Sequence, residues 1–216
     1  MKRRTLDILF SIGGAGIAAL LLIAGIVLSA NASFATTYVA DQLAQQNITF
    51  KTAQTLTDEE KQIPCLVQYA GQQMTTGKQA ECYANNFIGL HLKSTAGGKT
   101  YAELGVPQAE LRTKIAEAQK TNPAAVADLQ KQLTDITAQR ETVFKGETLR
   151  GLLLTTYGFS EFGTKAAQAA TVAYSAAALM LLLALAGITH ALLTPATVPF
   201  AALEPKKQPI GKPATA

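Results

Sequence analysis

The sequence predicts an all-α membrane protein: two transmembrane helices flanking an extracytoplasmic helical domain with one disulfide. Three observations predict it. Residues 8–40 and 166–203 carry no charged side chain. The net charge of +4 comes wholly from the two ends of the chain, because residues 41–165 hold 13 Lys/Arg against 13 Asp/Glu. That middle stretch repeats its apolar positions at threes and fours, with no alternating β-branched run and no Asn-Gly or Asp-Gly turn. Only 16% of the chain is charged, below the roughly 25% of an average soluble domain, and the deficit is confined to the two uncharged stretches.

Taken in order, residues 1–7 form a cytoplasmic N-terminus in which Lys2, Arg3 and Arg4 stand against Asp7. Residues 8–30 form transmembrane helix 1, long enough for the roughly 20 apolar residues that a span requires. The "ANA" at 30–32 also fits a small-residue cleavage site. A secretion signal has an apolar core of only about 7–15 residues, so length favours a retained anchor, with cleavage after Ala32 as the alternative. The apolar pattern continues without a turn signal into "TTYVADQLAQQ", as if one helix entered the next domain.

Residues 31–165 form the extracytoplasmic α-helical domain. Its helix starts recur as capping boxes at Thr57–Glu60, Thr76–Gln79 and Thr100–Glu103. After Thr76, the residues Ala80, Tyr83, Ala84, Phe87, Ile88 and His91 mark one helix face, which "AGGK" at 96–99 ends. A helix opening near Pro107 carries Leu111, Ile115 and Ala118. "TNP" at 121–123 breaks it, with Asn122 as cap and Pro123 at the first helical position. Val126, Leu129, Leu133, Ile136 and Val143 then form a short heptad seam, whose expected partner is the preceding helix in an antiparallel hairpin.

Residues 166–193 form transmembrane helix 2, and 194–216 a cytoplasmic Pro/Lys-rich tail with Lys206, Lys207 and Lys212. Basic ends around a neutral middle match the positive-inside rule. They place both termini in the cytoplasm, the central domain outside and the protein in the cell membrane. Small residues at spacing four suggest a helix-packing seam: Ser11, Ala15 and Ala19 in the first span, Ala169, Ala173 and Ala177 in the second. Alanine and glycine are also common in spanning helices generally.

The residues that could carry chemistry are few. Cys65 and Cys82 are the only cysteines, and an exported compartment favours their pairing. The histidines are also two, His91 in the domain and His190 at the cytoplasmic end of the second span. A hydrocarbon core of about 30 Å would separate them, so they cannot share one metal within a protomer. No GxSxG, phosphate loop or dinucleotide fingerprint occurs. No catalytic residue, metal or cofactor is assigned, and no nucleic-acid contact, which would need a basic face on the folded domain.

The stretch "FKGETLRGLLLTTYGFSEFGTK" at 144–165 is rich in glycine and aromatics. It reads as a juxtamembrane segment with aromatics at headgroup level. The sharper reading makes Arg150, Tyr157, Phe159 and Phe162 a docking surface for a membrane-protein partner or a second copy of the chain.

The segments "MKRRTLDILFSIGG", "CLVQYAGQ", "TTGKQAECYAN", "IGLHL", "GKTYAELGVP" and "FKGETLRGLLLTTYGFS" resemble an uncharacterised family of two-span actinobacterial membrane proteins, often labelled "aromatic ring-opening dioxygenase". The resemblance covers all but the proline-rich tail. It implies the two-span layout and carries over no catalytic residues. Ring-opening dioxygenases hold iron through clustered histidines and a carboxylate, a set that His91 and His190 do not supply. The expected function is a non-enzymatic accessory or scaffold subunit of a membrane complex in the cell envelope. The alternatives are an extracytoplasmic ligand-binding or sensing module that works with a partner and, second, the oxygenase of the label.

Overall fold

A computed structural model describes residues 2–195 and Val198. The expectations for the tail beyond these, Lys206, Lys207 and Lys212 included, lie outside the described residues. Among the described residues all regular elements are helical, and Thr49 and Gln73 pair in an isolated antiparallel bridge. The helices are α1 (Arg3–Gln45), α2 (Asp58–Lys61), α3 (Pro64–Gln68), α4 (Gly77–Cys82), α5 (Gly89–Ala96), α6 (Gly105–Thr121) and α7 (Val126–Leu193). A π-helical segment, Tyr83–Ile88, joins α4 to α5, and a 3₁₀ turn, Pro123–Ala125, precedes α7.

Both α1 and α7 are long and apolar enough to cross a membrane, and only 22% and 17% of their apolar windows are buried. α1 runs unbroken past the uncharged stretch to Gln45. The 68 residues of α7 absorb the heptad seam, the glycine-rich stretch and the second uncharged stretch in one helix. Gly146 and Gly163 fall inside it at close contacts, against Leu92 and Ala35, where a Cβ would collide. The sequence reading placed separate elements here. In a helix held by packing along its length, isolated glycines each cost only about 1 kcal/mol.

The described chain divides into two compact units, one of residues 2–29 with 168–195, the other of residues 30–167. In the first unit, α1 and α7 pack antiparallel. Gly14 faces Ala184, and a Cβ on Gly25 would meet the Tyr174 ring at 2.7 Å. Ser29 Oγ donates to the Tyr174 hydroxyl at 3.2 Å, and His190 Nδ1 pairs with the Asp7 carboxylate at 2.9 Å.

The buried stripe of this unit is made of small residues: Ser11, Ala18, Ala170, Ala173, Ala177, Ala184 and Ala191. Ala15 is half-buried, while Ala19 and Ala169 are exposed. The stripe advances by threes and fours rather than by fours alone. A spacing of four drifts about 40° around the helix at each step, so the third member of a four-spaced ladder leaves the contact. Two helices that wind about each other keep the 3.5-residue average.

In the second unit, α1 ends in a turn where Asn47 takes a left-handed φ of 52°. The chain then runs extended beside residues 71–74, with Phe50 N–H donating to Gln72 O at 2.9 Å and Met74 N–H to Ile48 O at 2.8 Å. The core forms under this strap from Leu43, Phe50, Leu66, Met74, Ala84 and Leu153. Two of the three capping boxes open helices, α2 at Thr57 and α4 at Thr76. The third, Thr100 with Glu103, forms its reciprocal bonds on the turn before α6. Gly97 ends α5 with a left-handed φ of 59°, as its sequence position suggested. Asn122 precedes the 3₁₀ turn without a side-chain cap. The expected hairpin of α6 and α7 is held by Gln108 Nε2 donating to Thr137 Oγ1 at 2.8 Å, and by Arg140 donating to Gln108 Oε1 at 2.8 Å.

Candidate functional site

The Cys65–Cys82 disulfide ties α3 to the end of α4, with the two Cα atoms 6.1 Å apart. Its loop encloses the turn and the extended residues 71–74 that precede Thr76. The π-helical segment begins immediately after Cys82. Its rings stack in series, Tyr83 on Phe87 at 4.6 Å and Phe87 on His91 at 4.4 Å. Burial pushes the Tyr83 hydroxyl up in pKa. Asn85 and Asn86 of the same segment line a polar cleft of about 320 Å³ with Tyr69, Lys78, Glu81 and the disulfide.

Three sets of groups surround this frame. The first is the buried carboxylate of Glu60. It accepts from Lys51 Nζ at 2.8 and 3.0 Å and from Thr57 N–H at 2.8 Å. Burial raises its pKa, but the Lys51 and Thr57 hydrogen bonds outweigh burial, and the net direction is down. His91 Nε2 lies 4.0 Å from the same carboxylate, while its Nδ1 meets the Phe87 carbonyl at 2.7 Å and half of the side chain is exposed. Glu60 is thus occupied in capping α2 and fixing the strap at Lys51. Every buried side-chain nitrogen and oxygen among the described residues has a partner, and no three of their His, Cys, Asp and Glu side chains converge as a metal site.

The second set lies on the face of α7 that packs against α4. Arg150 donates to Asn85 Oδ1 at 3.0 Å. Lys78 Nζ donates to the Tyr157 hydroxyl at 2.9 Å, lies 4.5 Å from the centre of that ring, and faces Glu161 at 3.3 Å. The Tyr157 bond, with Glu161 adding to it, drives the Lys78 pKa upward against partial desolvation. Gly77 allows this closeness, because a Cβ there would collide with Ser160.

The third set lies on the opposite face of α7. Phe159 is nine residues from Arg150, a rotation of roughly 180°. Its ring meets Phe34 at 6.4 Å and Tyr38 at 6.1 Å, both edge-on. Beside it α1 and α7 leave an apolar groove of about 420 Å³. Its floor is the buried Val39, Leu43 and Leu153, and its walls are Tyr38, Leu149, Leu152 and Phe159. Leu152 is 63% exposed and Phe162, one turn beyond Phe159, is 76% exposed.

The four residues singled out on α7 therefore divide. Arg150 and Tyr157 face inward to Asn85 and Lys78, and Phe159 and Phe162 face outward. Tyr38, Leu149 and Leu152 join the outward face and were not singled out. The signal for them was present, since Leu149, Leu152 and Phe159 stand at steps of three and seven. No protein-family model, no curated protein and no solved structure matches this chain.

Proposed function

We propose that the chain is a two-span protein of the cell membrane whose extracytoplasmic domain is a docking, non-enzymatic subunit of a membrane complex. The span reading is supported by which residues the first unit leaves outside. Phe10, Ile12, Leu20, Leu182 and Leu192 are each at least 64% exposed, while Ser11 and six alanines are buried. That arrangement suits hydrocarbon rather than water. The charge asymmetry supports cytoplasmic ends, and the disulfide supports an exported, oxidising location for residues 31–165.

The docking reading is carried by one observation: the outward face of α7, with Leu149, Leu152, Phe159 and Phe162, presents large apolar groups outside any core. Contiguous exposed apolar groups of this kind mark interaction sites. Reporter fusions near Gly97 should read external and fusions after Lys212 cytoplasmic. Affinity capture in mild detergent should then recover a stoichiometric partner that Phe159→Ala with Phe162→Ala releases. Capture unchanged by this pair, with a partner lost only on altering residues far from it, would remove the docking reading. Phe162 is a cleaner probe than Tyr157, because Tyr157→Ala also strips Lys78 of its partner.

A further inference from the structure

We infer that Asp7 and His190 form a pH-sensitive latch that clasps the N-terminal end of α1 to the C-terminal end of α7, tight when the imidazole is protonated and slack when it is neutral. The inference rests on the two-span reading, which puts the latch on the cytoplasmic side, and adds a regulatory device to it.

The seam at this end is otherwise made of small residues. Ser11 lies so close to Gly187 that a Cβ there would collide with its hydroxyl, and Gly14 faces Ala184. A recess of about 170 Å³ opens beside them, between Asp7, Phe10, Met180 and Leu183. In hydrocarbon such contacts hold only by close approach and dispersion. A polar bond across the seam therefore supplies a large share of what keeps this end shut. His190 Nδ1 lies 2.9 Å from Asp7 Oδ2, across 183 residues of sequence, so the bond ties one helix to the other. Asp7 is the more covered partner, 25% exposed against 51% for His190.

Geometry fixes the sign. A carboxylate only accepts, so His190 Nδ1 donates. A neutral imidazole makes an ordinary hydrogen bond there, whereas an imidazolium makes a charge-assisted one, roughly twice as strong. His190 lies in the last turn of α7, where the partial charge of the helix end also favours a cation. An imidazole ordinarily changes charge between about pH 5 and 8, so the latch is tight on the acid side of that range and slack on the alkaline side. Among the described residues, the other charged groups at this end all belong to α1 and its start. Arg3 and Arg4 precede Asp7 by four and three residues, on the same side of the helix, and Lys2 precedes them. No charged residue stands between Lys165 and His190 on α7. Once the imidazole is neutral, the two arginines offer the carboxylate a partner within its own helix. The latch thus has two arrangements: Asp7 on His190 across the seam, or Asp7 turned to Arg3 and Arg4 along α1.

The test places pairs of spin labels on the full chain in phosphatidylcholine vesicles, with the same buffer on both sides. Cys65 and Cys82 are paired, which leaves the label to introduced thiols. Thr5→Cys with Leu193→Cys reports the latched end. Leu22→Cys with Leu179→Cys, exposed positions further along the same helices, is the reference. Raising the pH from about 5.5 to about 8.5 should increase the separated population of the first pair roughly three- to tenfold, the effect of weakening one interhelical polar bond, and leave the reference pair unchanged. Asp7→Asn and His190→Ala should each show the separated population at both pH values. His190→Lys, charged throughout this range, should stay closed at both. Arg3→Gln with Arg4→Gln should lessen the opening on the alkaline side. His91→Ala removes the only other imidazole and should change nothing. A wild-type end indifferent to pH, or a pH response that survives His190→Ala, would overturn the latch. A label on Leu22→Cys that meets a water-soluble nickel chelate more readily than oxygen would instead overturn the two-span reading, whatever the end pair does.

Discussion

The two compact units pack by opposite rules. In the second, large side chains are fully buried, among them Leu66, Met74, Leu104 and Val143, alongside small ones such as Ala80 and Ala84. In the first, the buried side chains are Ser11 and a series of alanines, while Phe10, Leu182 and Leu192 lie outside. Removing apolar area from water stabilises a fold by roughly 25 cal/mol per Å², which selects the second pattern. In hydrocarbon that gain vanishes, and helices associate through close backbone approach and dispersion, which selects the first. On the two-span reading proposed above, the size of what each unit hides follows the solvent around it.

The sharpest way to break the comparison is to shrink a core residue in each unit. Leu66→Ala should destabilise the second unit by about 2–5 kcal/mol, the usual cost of a large-to-small change in a packed core. Leu182→Ala, at a position 64% exposed, should leave the melting of the chain in detergent nearly unchanged. Equal losses at the two positions would mean that Leu182 is covered by protein.

Removing the disulfide comes next. Cys65 and Cys82 are 17 residues apart, and closing a loop of that size accounts for roughly 3 kcal/mol on the chain-entropy model. Cys65→Ala with Cys82→Ala should lower the thermal midpoint of the second unit without altering membrane insertion. Protein taken from its own membrane should resist thiol labelling until it is reduced. Enlarging the small-residue stripe should act on the first unit instead. Ala177→Leu overfills a contact between two helices and should cost about 1–3 kcal/mol, read as loss of helix pairing in a chain whose disulfide domain still melts normally.

How much of this was legible in the sequence differs between the units for a physical reason. Uncharged runs, capping boxes, the cysteine pair and the glycine stop at Gly97 are local signals, and the helices and disulfide follow from them. The register of the small-residue stripe was not, because a four-spaced and a three-four-spaced ladder differ only once a partner helix is present. The π-helical segment at Tyr83–Ile88 has no local signature either, since the capping box at Thr76 starts an ordinary helix and tertiary contacts decide where it widens. The division of α7 into an inward face at Arg150 and Tyr157 and an outward face at Phe159 depends on Asn85 and Lys78, 65 and 79 residues away. Glycines in the same stretch set it apart in the sequence from the helices on either side. Two of them admit Leu92 and Ala35 to the helix surface.

The smallest effect at neutral pH, and the one that most sharpens the comparison, concerns Glu60. The second unit holds an ionised carboxylate in its core, whereas residues 8–30 and 166–193 hold no ionisable acid or base except His190 and the tyrosine hydroxyl of Tyr174. Lys51 and the Thr57 N–H stabilise the charged form of Glu60 beyond what burial takes away, so its folded pKa lies below the ordinary value of 4.5. A depressed carboxylate contributes stability that is complete above its unfolded pKa and is lost as pH falls through the folded one. Acid should therefore weaken the second unit below about pH 4.5. Glu60→Gln keeps an acceptor for Thr57 but gives up the charged bond to Lys51, a change of about 1.5 kcal/mol at neutral pH. Its more telling result is the slope, because the variant should lose part of the pH dependence that wild type shows on the acid side. Thermal midpoints at pH 7, 5 and 3 for both proteins measure it. Parallel acid profiles would place the sensitivity elsewhere, and Glu103 is the next group to examine, since it too is held down, by the Thr100 N–H and hydroxyl. That carboxylate is solvent-exposed, so its share should fade in high salt, while a buried Glu60–Lys51 pair should keep most of its effect.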